Sequence, residues 1–155
     1  MNTVNKYMKA AIKEAKKAEL IDEVPIGCVI VKEGKIIARA HNMRETKQNP
    51  LGHAELLAIS KASKKLNSWR LENCDIYVTL EPCIMCGGAI IQSRIKNVYF
   101  GAYDPKGGAM GSSINVNEAK NINHHPEIIG GVMETECASL LTDYFKKKRK
   151  NKLGL

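Results

Sequence analysis

Two short motifs constrain this chain more than anything else in it. Gly52-His53-Ala54-Glu55 and Glu81-Pro82-Cys83-Ile84-Met85-Cys86 each stand where a helix should begin, with thirty residues from His53 to Cys83. Two cysteines three apart can form a redox couple, half of a structural zinc knuckle, or part of a catalytic metal site. The pair alone does not choose among them. A structural site wants a fourth Cys or His, for which His41, His124 and His125 are the spares. A redox couple has no need of His53 or Glu55. A catalytic zinc site keeps three protein ligands and one open position, and His53, Cys83 and Cys86 supply three.

Geometry then restricts the fold. Residues three apart share a helix face, so Cys83 and Cys86 point the same way. Pro82 suits the opening of a helix, which puts Cys83 in the first turn, where free backbone N–H groups favour thiolate over thiol. His53 and Glu55 are two apart and diverge inside a helix. They converge only at a helix start, with the metal off its end. Any fold that satisfies both motifs must aim two helix N-termini at one point. Glu55 is then an acid/base beside the metal, not a ligand.

The rest of the chain reads as a frame for that arrangement. Met8, Ala11, Ile12 and Ala15 keep a helical period over Val4–Leu20. "VPIGCVIV" and "KIIARAH" read as two strands joined by a tight turn at Glu33-Gly34-Lys35. "NMRETKQNPLG" reads as a loop, and "HAELLAISKASKKL" as an amphipathic helix with Leu56, Leu57, Ile59 and Leu66 in the core. "CDIYVTL" and "KNVYFGA" are strands that flank the cysteine helix, "EIIGGV" is a weak last strand, and "ETECASLLTDYFKKKRK" closes the chain as a helix. Strands alternating with helices argue an α/β domain with helices on both sides of a sheet. At 155 residues, with no internal repeat or linker, one domain over 1–155 is expected, ending in a basic helix or tail at about 134–155.

Composition excludes several classes. No apolar run approaches the roughly 20 residues that span a bilayer. The Lys- and Glu-studded N-terminus lacks a signal-peptide core. Five cysteines, an odd number, fit a reducing cytoplasm, and Cys28, Cys74 and Cys137 read as small core residues. Trp69, Tyr99 and Phe100 read as core as well. Six of the net eight positive charges sit in "KKKRKNK" at 146–152, which points to a polyanionic partner or to a solvated end.

HxE followed by PCxxC is the signature of zinc-dependent deaminases. Around it, "EVPIGCVIV", "AHNMRE", "HAELLAI", "SWRLENCDIYVTLEPCIMCGGAI", "SRIKNVYFGAYDPKGGAMGS", "NHHPEI" and "CASLLTDYFKKKR" resemble the bacterial tRNA-specific adenosine deaminases, from about Lys9 to Arg149. Gly52 stands where that family usually has Ala, and Gly87 where Ala or Leu is common. The resemblance implies a cytidine-deaminase-like three-layer α/β/α fold with a mixed five-stranded sheet. It also implies one Zn²⁺ per chain, a cytoplasmic homodimer, and conversion of adenosine to inosine at wobble position 34 of a tRNA anticodon. The implied partner is the anticodon stem-loop of an arginine tRNA. Asn42 becomes a contact to the purine, although Asn is often a turn residue. The backbone at Ala54 would hold water and base. Asp104 becomes a substrate-backbone contact, though an Asp before Pro105 also forms turns. Lys106, Lys148 and Arg149 become phosphate contacts. His41 could line the pocket rim, while His124 and His125 read as structural.

Two rival readings remain on the sequence alone. A deaminase of a free base or nucleoside would share the zinc site but has less use for a basic terminal helix. A zinc-stabilised RNA-binding module would leave Glu55 without a task and zinc one ligand short.

Overall fold

The computed structural model describes residues 2–154; Met1 and Leu155, the ends of the expected 1–155 domain, lie outside the described residues. A first helix, α1 (Thr3–Leu20), starts at Asn2, whose side chain accepts the Val4 N–H at 2.9 Å. Strands β1 (Gly27–Lys32) and β2 (Lys35–His41) pair antiparallel. Glu33 and Gly34 join them with φ of 50° and 74°, the two left-handed residues of a tight primed hairpin turn. The chain continues through α2 (Arg44–Lys47), α3 (Ala54–Leu66), β3 (Cys74–Leu80), α4 (Ile84–Gln92), β4 (Asn97–Ala102), a 3₁₀ turn at Val116–Glu118, β5 (Glu127–Ile129) and α5 (Glu134–Lys152).

The five strands form one sheet in the order β2-β1-β3-β4-β5. β1 is antiparallel to both neighbours, whereas β3, β4 and β5 run parallel, so the sheet is mixed, as the resemblance implied. Alternation along the strands sorts the core into two faces. Cys28 and Ile30 of β1 and Ile76 and Val78 of β3 meet α3 and α4. Val29, Val31 and Tyr77 face the other way, toward Tyr7, Met8 and Ala11 of α1 and Cys137 of α5. All three layers are present. Cys28, Cys74 and Cys137 are fully or almost fully buried in the core, as read from the sequence.

Several local expectations need correction. The segment 42–52 is not all loop: one helical turn, α2, forms in it. The Glu23 carboxylate accepts the Glu45 and Thr46 N–H groups at that turn's start, which no local pattern announces. On α3, the sheet-facing stripe is Ala54, Ala58 and Ala62, each fully buried. Leu57, Ile59 and Leu66 only pack against the core from its margin, and Leu56 is half-buried. The alanines let the helix lie close on β1 and β2, which pushes the larger side chains outward. Trp69 is not core: it is 59 % exposed in the α3–β3 turn, with the Arg70 and Arg94 guanidiniums 4.9 and 5.7 Å from its ring. Phe145, on α5, is also exposed. Phe100 is buried, and Tyr99 is half-buried and stacked on Tyr77 at 4.5 Å.

α1 crosses β1 at Gly27. A Cβ there would lie 2.0 Å from the Ala11 carbonyl oxygen and 2.3 Å from the Ala15 nitrogen. Only glycine permits this approach, which sets the depth of α1 and the position of the chain entering β1.

Candidate active site

The two motifs come together at one end of the sheet. His53 is the N-cap of α3 and Cys83 the N-cap of α4, both in extended conformation (ψ 145° and 178°). Cys83 therefore sits one step before the helix in which Cys86 lies, not inside its first turn. Neither cap residue makes the usual side-chain bond to its own helix. Both side chains turn outward instead, and the free N–H ends of two helices face the same space.

The geometry fits a tetrahedral metal. His53 Nδ1 lies 3.6 Å from Cys83 Sγ and 3.5 Å from Cys86 Sγ, and the three ligand atoms are all within 4.8 Å of one another. Zinc bonds of about 2.3 Å to sulfur and about 2.0–2.1 Å to nitrogen, at tetrahedral angles, would separate S and N by about 3.6 Å. The spacing is thus what one shared ion requires. One of the two thiols is already biased toward it. Hydrogen bonding to Cys86 and His53 holds the Cys83 thiol down at about 4, against its burial. The same bond to Cys83, with burial and the Glu55 charge, pushes Cys86 up, so without metal the pair keeps one thiolate. The bond to Cys83 raises His53.

Glu55, in the first turn of α3, is 4 % exposed. Burial pushes its carboxyl up to about 7, against the pull of its own backbone N–H. It lines a cavity of about 150 Å³ with Asn42, His53, Ala54, Cys83 and Asp104. Val24, Ile26 and Leu80 give the cavity apolar walls, and Arg44 and Glu81 complete it. This is well below the ~300–1,000 Å³ of an ordinary ligand cleft, and suits one planar ring rather than a long ligand.

Asn42 is a turn residue that also lines the cavity. Its Oδ1 accepts the Arg44 N–H at 3.2 Å, a local turn bond, and its Nδ2 donates to the Val24 carbonyl at 3.3 Å. One Oδ1 lone pair and one Nδ2 hydrogen remain in a residue that lines the cavity. Asp104 likewise caps its own turn, accepting from Lys106 and Gly107 N–H. Lys106 is exposed on that turn.

Other candidates are placed elsewhere. His41 does not line the cavity; its Nδ1 is 3.1 Å from the buried Glu14, which also holds Lys17 at 2.8 Å. His124 and His125 bond to the carbonyls of Ile95 and Asn117, a structural use. The basic end of α5 lies against the end of α1. Lys148 pairs with Asp22 at 2.7 Å, and Lys147 with Glu19 at 3.6 Å, while Arg149 is exposed and bears no ion pair among the described residues. Asp22 leads within two residues to Val24 of the cavity wall, so the tail is moored beside the site. Gly52 packs its backbone against Arg44, where a Cβ would stand 3.0 Å from Cα, and Gly87 faces Val116, at 3.0 Å from Cγ2.

Sequence reasoning missed three buried acids, Glu14, Glu23 and Glu81, of which Glu81 lines the cavity. Glu81 alone had a signal, a charge interrupting the apolar run "IYVTLEPCI".

Comparison with known proteins agrees with this geometry. The model of the MafB19-like deaminase family matches residues 2–149. The chain is 55 % identical over 146 residues to the tRNA-specific adenosine deaminase of Bacillus subtilis, covering 94 % of this chain and 91 % of that one. Against the enzyme of Aquifex aeolicus the identity is 46 % over 145 residues, with 94 % and 95 % covered. A solved tRNA:A34 deaminase, from work on A-to-I editing at the wobble position, superposes with a TM-score of 0.85 at 42 % identity, over 88 % of this chain and 99 % of that chain. The guanine deaminase of Bacillus subtilis is similar over 66 % of each chain, with 40 % identity and a TM-score of 0.63.

Proposed function

As the chain belongs to the tRNA-specific adenosine deaminase family, within the cytidine/deoxycytidylate deaminase superfamily, we propose that it converts adenosine 34 of a tRNA anticodon to inosine. The observation that carries the reading is Glu55, a buried carboxylate beside three metal-ligating atoms, at the floor of a cavity sized for one ring. His53, Cys83 and Cys86 would hold one zinc per chain. When bound, zinc supplies a water acidified to a pKa near 7.

The chain's own groups do the rest. Glu55 takes a proton from the attacking water and passes it to ring nitrogen N1, then takes the proton of the new C6 hydroxyl and passes it to the departing amino group, which leaves as ammonia. Its burial suits a group that must hold a proton part of the time. The N–H groups that open α3, at Ala54 and beyond, hold water and base. Asn42 turns its remaining amide donor and acceptor to the purine edge, and Val24, Ile26 and Leu80 exclude bulk water. The cavity holds a single planar base, so the nucleotide must leave its stack to enter. Asp104 and Lys106 meet the RNA backbone at the rim, and Lys148 and Arg149 meet phosphates farther out.

Within this reading the chain is one deaminase domain, cytoplasmic and paired as a homodimer, and its substrate is an arginine tRNA bound by the anticodon stem-loop. The exposed apolar Leu51 and Ile84, beside the starts of α3 and α4, suit a second copy of the chain. None of the described helices is long and apolar enough to cross a membrane.

The direct test is to incubate the zinc-loaded protein with arginine tRNA and to map inosine at position 34. Free adenosine, guanine and cytidine run in parallel. Conversion of free guanine with untouched tRNA would overturn the reading in favour of a base deaminase.

A further inference from the structure

Four donors converge on Glu81, which is 2 % exposed. Oε1 accepts the Asp104 N–H at 3.1 Å and the Ser112 hydroxyl at 2.5 Å. Oε2 accepts the N–H groups of Met110 and Ser112, each at 3.1 Å. From the other side Gly108 presses against the carboxylate, and a Cβ there would lie 2.4 Å from its carbon. The same loop is stitched to the metal-ligand turn by its backbone, through Ala109 N–H to the Pro82 carbonyl at 2.8 Å. Glu81 is two residues before Cys83, while Asp104 at the loop's near end lines the cavity. A single side chain thus ties the wall of the site to the turn that carries a metal ligand.

We propose that Glu81 is a positioning residue for the substrate: its carboxylate clamps the 104–112 loop onto the Pro82–Cys83 turn and so registers the RNA-contacting loop against the reaction centre. The role rests on the reading of RNA as substrate. It is separate from catalysis, because none of the four bonds involves a ligand atom or Glu55. The clamp acts on binding. A loop released from it must be ordered each time RNA binds, and that cost falls on affinity rather than on the chemical step.

The atoms dictate the informative variants. In Glu81→Gln, the amide nitrogen that replaces one oxygen is a donor facing donors. Placed at Oε1 it loses Asp104 N–H, while the Ser112 hydroxyl can turn to accept, so the cavity end of the loop is freed and the far end stays. Gly108→Ala strains the same clamp from the opposite side without changing any charge. For each variant we would measure metal content, melting, amide exchange at 104–112, and KM and kcat on an arginine anticodon stem-loop RNA. Both variants are expected to keep one zinc per chain and to melt within a few degrees of the parent. Exchange at 104–112 should quicken, KM should rise about tenfold, the worth of one charge-assisted hydrogen bond, and kcat should change less than about threefold. Loss of zinc would overturn the proposal by making Glu81 a builder of the metal site. So would unchanged KM and exchange, or a fall in kcat alone. Should Glu81→Gln not fold, Gly108→Ala carries the test. Should the parent not deaminate RNA at all, the proposed function fails, and the exchange rates still decide whether the clamp exists.

Discussion

Gly27→Ala tests the close crossing of α1 on β1. The added methyl would stand 2.0 Å from the Ala11 oxygen. An ordinary carbon–oxygen approach is about 3.3 Å, so α1 would have to retreat by roughly 1.3 Å. A gap of ~0.5–1 Å already forfeits a quarter to a half of the dispersion attraction between two atoms, and Tyr7, Met8, Ala11, Ala15 and Ala18 are all buried along this face. Overpacking usually costs about 1–3 kcal/mol. The helix here is tied at both ends, by the Tyr7 hydroxyl on the Gly34 carbonyl and by Asp22 on Tyr144, and the obstruction is backbone. We therefore expect the top of that range, about 3 kcal/mol. For a chain of this size that is a fall in Tm of about 6–12 °C, read by circular dichroism on zinc-loaded protein. Ala15→Gly should give no rescue, because it removes a side chain and leaves the obstructing atoms in place. KM should rise too, since the Ile26 carbonyl beside Gly27 holds the Asn42 N–H at 3.0 Å. A Tm within about 2 °C of the parent would refute the claim that this crossing sets the depth of α1.

Cys83→Ala should lose zinc and stability together, whereas Glu55→Gln should keep zinc and the melting point while the rate falls at least about a hundredfold; metal analysis beside a single-turnover inosine assay separates the two. Glu14 gives a pH signature. Burial works to raise its carboxyl, and bonds from Lys17 and His41 outweigh that, leaving it below its ordinary value of 4.5. Its contribution is therefore complete above about pH 4.5 and is lost as pH falls through the lower folded value. Urea midpoints of Glu14→Gln should lie below the parent at pH 7 and converge on it as pH falls through the lowered folded value; parallel curves would contradict this. On the tail, Lys146→Glu, Arg149→Glu and Lys150→Glu together should weaken RNA binding and leave Tm unchanged. The log–log salt slope of binding should flatten by roughly 0.7–0.9 for each phosphate that is no longer neutralised. Lys148→Glu alone should lower Tm, because it sets a second negative charge against Asp22.

What could be read from the sequence was whatever has a local cause. The hairpin followed from two β-type runs around Glu33-Gly34, where the glycine accepts a left-handed conformation freely and Glu33 is carried into one beside it. The convergence of His53, Cys83 and Cys86 followed from a steric fact, that residues two apart diverge inside a helix. The same reasoning erred where apolar size stood in for packing. It chose the leucines of α3 because they are larger, but a helix lying close on a sheet buries its smallest residues. Trp69 reads as core because aromatics are few in this chain, whereas the structure sets it beside arginines at the surface. Glu14, Glu23 and Glu81 escaped notice because their donors lie on segments distant in the chain. A carboxylate's environment becomes visible only when those segments meet. Cys83 was misplaced by one residue, since the helix begins after the cap and not at the proline.

The mooring of α5 has a consequence for how the protein is made. The Tyr144–Asp22 bond joins residues 122 apart and the Lys148–Asp22 bond residues 126 apart. His53, Cys83 and Cys86 all precede that helix by about fifty residues or more. A chain released from the ribosome N-terminus first presents β1, β2, α3, β3 and α4 while α5 is still unmade. The parts that hold the ion are thus translated before the parts that moor the basic tail, and a nascent chain stopped before Glu134 already carries every metal ligand.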